Sequence, residues 1–203
     1  MGIITEISPQ KTKNRVNIFV DNEFKSGLSV ESAVKFCLKK GMSIDDSKLD
    51  EIIEESETNS AFNVSLNFIS AMPKSKYEVR QKLYKKGFSS SVIDKAILKL
   101  EEYHYVDDYE YAKLYISSIS NKSKRELSEK LRIKGISKDI ISELLDEIDD
   151  ENEEQNALTY ALKYLKNKEL NDKTKRNLFA NLMRKGYSYD LVSRVFDKIK
   201  SED

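Results

Sequence analysis

A chain of 203 residues with 35 Lys and Arg against 35 Asp and Glu carries no net charge at pH 7. No overall basic field therefore marks a nucleic-acid binder, and no overall acidity marks a mimic of one. The lone cysteine, Cys37, excludes an internal disulfide and fits a reducing compartment. No apolar run reaches the roughly 18 residues of a membrane span, and no signal peptide opens the chain, so a cytoplasmic protein is expected.

Residues 2–27 read as strands. GIITEI is β-branched, Pro9 interrupts it, and RVNIFV at 15–20 alternates Val16, Ile18 and Val20 on one face. Asp21-Asn22 then suits a tight hairpin, because Asx residues tolerate positive φ. A small sheet of two or three strands is predicted, marginal alone and therefore packed on something else.

Scarce glycine and proline favour helix over the remainder. A first helix is predicted from near Ser29 to Gly41, with Cys37 on its apolar face in a core role. A second passes through Leu49, Ile52 and Ile53. The acidic tract 45–57 is a solvated face, or a contact for a basic partner.

From residue 59 onward one phrase returns three times. LYKKGF, LRIKGI and LMRKGY align on Gly87, Gly135 and Gly186. Four residues before each glycine stands Leu83, Leu131 or Leu182, and four before that Val79, Leu127 or Leu178, which is one helix face. Ser75, Ser123 and Thr174 are the predicted N-caps. Glu78 and Glu126 complete capping boxes, and the third copy has Asn177 instead. Each glycine ends its helix in left-handed geometry. Ser89, Ser137 and Ser188 then cap a following amphipathic helix.

A further helix precedes each pair, over 59–72, 108–119 and 154–165, so each repeat is three helices in about 48 residues. The predicted fold is mainly α: tandem three-helix, helix-turn-helix-like repeats forming an elongated curved body behind a small N-terminal β-hairpin or sheet. The predicted segments are 1–57, 58–104, 105–150 and 151–203.

The helix before each glycine is basic. Arg80, Lys82, Lys85 and Lys86 in the first copy, Lys130, Arg132 and Lys134 in the second, and Arg176, Arg184 and Lys185 in the third are the candidate contacts for a partner or DNA. Cations at a helix C-terminus also complement the helix dipole, which competes with that assignment.

Catalysis is not expected. His104 has no second ligand beside it, Asp107-Asp108 is explained by capping, and phosphate loops, zinc spacings and serine-nucleophile motifs are absent from the sequence. No cofactor or metal is expected. The tyrosines, clustered at 103–111, suggest packing before base stacking.

The ordered set LYKKGFSSSVIDKAI, YVDDYEYAKLYI, KLRIKGISKDIISELL and LMRKGYSYDLVSRVF resembles the RecX family, bacterial regulators of the RecA recombinase. The resemblance covers nearly the whole chain. One departure is that the family often has a glycine just before the aliphatic-Asp-Asp phrase, where this chain has His104-Tyr105. Internal repetition reduces the need for self-association, so a monomer is expected. The resemblance implies a non-catalytic protein that binds the RecA filament, touches single- or double-stranded DNA within it, and limits filament extension and strand exchange. The residues alone leave two alternatives: a tandem helix-turn-helix protein acting directly on duplex DNA, and a helical interaction scaffold.

Overall fold

The computed structural model describes residues 1–119 and 122–201, of Ser201 the backbone alone. Residues 202 and 203, the end of the last predicted segment, lie outside the described residues. Strands β1 (Gly2–Pro9), β2 (Arg15–Val20), β3 (Glu23–Ser29) and β4 (Ser43–Ile44) form an antiparallel sheet in the order β3-β2-β1-β4, one strand more than the sequence suggested. The hairpin is as read: Val20 pairs with Glu23, and Asp21 and Asn22 take φ of 49° and 68°. Two positive φ values in a two-residue loop match the right-handed twist of the strands it joins.

The region after β3 corrects two expectations. Helix α1 (Val30–Lys35) is a short piece capped by Ser29 and finished at Phe36. Cys37 lies beyond it, exposed and with φ 52°, so it is not a core residue on a helix face. The turn there is closed by Cys37 N–H to Val34 and Leu38 N–H to Ala33, which bury Leu38 in place of Cys37. Helix α2 (Asp46–Ile69) is continuous across the stretch where the sequence suggested two helices. No glycine or proline interrupts it. Ser60 and Ser65 turn their hydroxyls back onto the carbonyls of Ser56 and Ala61, four residues earlier, where they do not break the helix. Two acids of its face are paired within the chain: Glu54 meets Lys95 at 2.6 Å, and Glu55 meets Lys35.

Among the described residues eight further helices follow: α3 (Lys76–Lys85), α4 (Ser90–Glu102), α5 (Asp108–Ser117), α6 (Lys124–Ile133), α7 (Lys138–Asp146), α8 (Asp150–Leu165), α9 (Asp172–Lys185) and α10 (Tyr189–Ser201). Gly87, Gly135 and Gly186 have φ of 86°, 79° and 94°, the left-handed geometry that a Lys-Gly helix end calls for. Ser89 and Ser137 cap α4 and α7, and Asp107 caps α5 through the amides of Tyr109 and Glu110. One cap is displaced. Asn171, not Thr174, starts α9, and Thr174 N–H donates to the Asn171 side chain at 2.9 Å from inside the helix.

His104 stands where α4 must stop without a glycine. It takes φ 55°, with its N–H on Glu101 and that of Tyr105 on Leu100, so the left-handed turn forms around a residue that resists it. His104→Gly is expected to raise the unfolding free energy by about 0.5–1 kcal/mol, the strain relieved minus the extra entropy of an unfolded glycine. A thermal melt of the variant at or below the parent's midpoint contradicts that strain.

Contacts divide the chain into two compact units, residues 1–74 with 79–106 and residues 75–78 with 107–203. The first unit holds a sheet core around Ile4, Ile18, Leu28, Leu49 and Ile52, and a helical core around Val79, Leu83, Ile93 and Leu100. The second holds a core around Leu127, Leu131, Ile136 and Leu144, and another around Leu178, Leu182, Tyr187 and Val192. No helix among the described residues is long and apolar enough to cross a membrane.

Candidate functional site

The basic residues singled out by sequence fall into two classes. Lys134 and Lys185, each just before a turn glycine, are held inside the chain. Lys134 Nζ meets Glu78 at 2.7 Å and Lys185 Nζ meets Glu126 at 3.4 Å. Lys185 also lies over the Tyr160 ring, 4.6 Å from its centre. These partners stand 56 and 59 residues apart in sequence, and in both cases the acid is the Glu of a Ser-x-x-Glu capping box.

Around each pair the second unit repeats one set of bonds. Ser75 and Ser123, both 0% exposed, receive the amides of Glu78 and Glu126 as caps. Their hydroxyls then donate to carbonyls of the following copy: Ser75 to Lys134 O at 2.6 Å, and Ser123 to Lys185 O. The next amide is satisfied by a carboxylate from the helix that opens that copy, Lys76 N–H on Asp108 at 2.8 Å and Lys124 N–H on Glu153 at 3.1 Å. The turn glycine sits against the same helix start. A Cβ at Gly135 would lie 2.3 Å from Tyr77 Cβ, and one at Gly186 would lie 2.7 Å from Arg125 Cδ. Helix-start serine, capping glutamate, lysine and glycine therefore form a clasp, used twice.

Electrostatics follow this geometry. Burial opposes ionisation of Glu78, but the Lys134 ammonium, the Ser75 N–H and Tyr111 outweigh it and hold the carboxyl below the usual range. Glu126 is lowered in the same way, burial opposing and Lys122 and Lys185 prevailing. The Glu78 carboxylate in turn raises Lys134.

The other candidates face outward to differing degrees. Lys85, Lys86, Arg132, Arg176 and Arg184 are exposed, and Lys82 and Lys130 half-buried. Arg80 pairs with Asp94 at 2.5 Å, and Lys82 lies over Phe68 at 5.3 Å. Arg184 is tied back to its own helix through Asn181 and the Ala180 carbonyl. Lys86-Gly87 is the one copy of the turn with no helix start against it: nothing lies within 4 Å of a Cβ built at Gly87. Asp107 and Asp108 are engaged as a cap and as an amide acceptor, and among the described residues no group of acids, His and Cys is arranged to hold a metal. Sequence reading took Glu78 and Glu126 as caps only. Their second role lies with lysines 56 and 59 residues away, for which the capping-box spacing gives no local signal.

Family models match this chain in three places: the regulatory protein RecX N-terminal domain over residues 2–45, the RecX first three-helix domain over 61–100, and the RecX third three-helix domain over 151–196. The regulatory protein RecX of Bacillus subtilis is 37% identical over 100% of this chain and 79% of its own. The chain belongs to the RecX family. The RecX of Clostridium acetobutylicum is also 37% identical, over 98% of this chain and 97% of its own. A crystal structure of regulatory protein RecX covers 97% of this chain and 100% of its own with a TM-score of 0.73 at 22% identity. Another, from Lactobacillus salivarius, covers 71% of this chain and 97% of its own at a TM-score of 0.63. The fold is thus that of RecX, and the family is one of regulators, not of enzymes.

Proposed function

We propose that this RecX-family chain binds the RecA filament on DNA as a monomer and restrains filament extension and strand exchange without catalysing a reaction. The observation that carries this reading is membership of the family over the whole length of the chain, at 37% identity to a regulatory RecX. The charge pattern supports it. With Lys134 and Lys185 held by Glu78 and Glu126, the exposed candidates are Lys85, Lys86, Arg132 and Arg184 at or just beyond helix ends, and Arg176 early in α9. Exposed cations on several helices suit a polyanionic or acidic partner.

The triple variant Lys85→Glu, Lys86→Glu, Arg184→Glu is expected to weaken binding to the cognate RecA–DNA filament by about tenfold or more, since reversing each of several phosphate or carboxylate contacts acts on a salt-sensitive term. Helicity by circular dichroism stays unchanged. Anisotropy of a labelled filament over a salt series reads this out, and equal affinity of variant and parent at every salt concentration removes these residues from the interface.

A further inference from the structure

Helices α9 and α10 leave between them a cleft of about 300 Å³, and one of the outward cations, Arg176, lies on its rim. Phe179 and Phe196 line it, their ring centres 6.1 Å apart, and Tyr189 packs edge-on to Phe179 at 5.6 Å. Lys175, Arg176 and Lys200 line it too, against one carboxylate, Asp197, which lies 3.6 Å from Lys200. Phe179 and Phe196 pack over the core of the third copy, where Leu178, Leu182, Val192 and Val195 are fully buried, and stay only half-buried themselves.

An aromatic floor selects a flat ring, and a cationic rim selects an anion. A nucleotide within a strand offers both at the spacing of one residue. A peptide fits less well. An extended one needs main-chain partners, and two helices satisfy their own backbone groups. A helical one needs a groove several turns long for its anchors at i, i+3, i+4 and i+7, and this cleft sits at the low end of small-ligand volumes. We propose that the cleft between α9 and α10 is a single-stranded nucleic-acid subsite, where one base stacks on Phe179 and Phe196 while neighbouring phosphates meet Lys175, Arg176 and Lys200. The subsite gives the third copy a hold on a strand that does not depend on base identity, because every base has a π-face. It deepens the DNA part of the filament reading and rests on that part alone.

The test uses the full chain without recombinase, so its failure leaves the effect on RecA a separate question. A fluorescein-labelled thymidine strand of roughly fifteen nucleotides and an abasic strand of the same length are titrated by anisotropy, the length being within the span of known single-strand sites. The thymidine strand is expected to bind about tenfold more tightly than the abasic one, the effect of a single stacked base. Phe196→Leu, which keeps apolar volume and removes the ring, is expected to erase that preference with little change in melting temperature. Lys175→Glu with Arg176→Glu is expected to weaken both strands by about tenfold and to flatten the salt dependence. Equal binding of thymidine and abasic strands by the parent overturns the stacking site. A preference that survives Phe196→Leu, or affinity unmoved by the charge reversals, places binding elsewhere and overturns it as well. Binding of an acidic peptide bearing one Phe, with no binding of the thymidine strand, makes the cleft a protein groove and also overturns it.

Discussion

Gly135→Val is expected to lower the unfolding free energy by about 3–4 kcal/mol, and Gly87→Val by only about 1–2 kcal/mol, although both glycines share one backbone geometry. Their φ angles are 79° and 86°, so the conformational penalty on a β-branched residue is the same at each. The surroundings differ. A Cβ at Gly135 meets Tyr77 Cβ at 2.3 Å and Cγ at 2.5 Å, whereas nothing stands within 4 Å at Gly87. Tyr77 Cβ is fixed to the first turn of α3 and cannot swing aside as a flexible side-chain end does, so the clasp itself must open. Thermal melts of the two variants give the comparison. Equal losses mean that left-handed geometry is all that either glycine supplies, and that the close approach at Gly135 is not maintained.

Ser75→Ala is expected to cost about 2–3 kcal/mol, against about 0.5–1 kcal/mol for Ser89→Ala. Both serines sit at helix starts. Ser89 is exposed and its hydroxyl accepts one amide, that of Val92, at 3.4 Å, which water can replace. Ser75 is fully buried. Its hydroxyl accepts the Glu78 amide at 3.2 Å and donates to Lys134 O at 2.6 Å, so alanine strands a donor and an acceptor together. Chemical denaturation at neutral pH checks the difference. A Ser75→Ala loss no larger than that of Ser89→Ala contradicts a hydroxyl shared between two copies.

The glycine, the leucine face and the cap serines were legible because they are local: each obeys a spacing within one helix and its turn. The hairpin was legible for the same reason, since Asp21-Asn22 satisfies a two-residue loop without help from elsewhere. The end of α1 was not, because no glycine or proline marks it: the chain turns at Cys37, a residue with no signal for positive φ. The continuity of α2 was hidden by four polar residues at 57–60, of which Ser60 turns its hydroxyl back onto Ser56 O within the helix. The start of α9 at Asn171 lay outside the repeat register altogether. Least legible were the roles of Lys134 and Lys185. Their charge and position match those of Lys86, and only the acids placed 56 and 59 residues earlier separate an internal ion pair from an outward cation.

Regulation of the recombinase is most directly tested by the rate of ATP hydrolysis by the cognate RecA on single-stranded DNA as this protein is titrated in. The rate is expected to fall when the protein is present well below one copy per recombinase subunit, as for a protein that blocks extension or destabilises filaments. An unchanged rate up to several-fold excess contradicts a filament regulator.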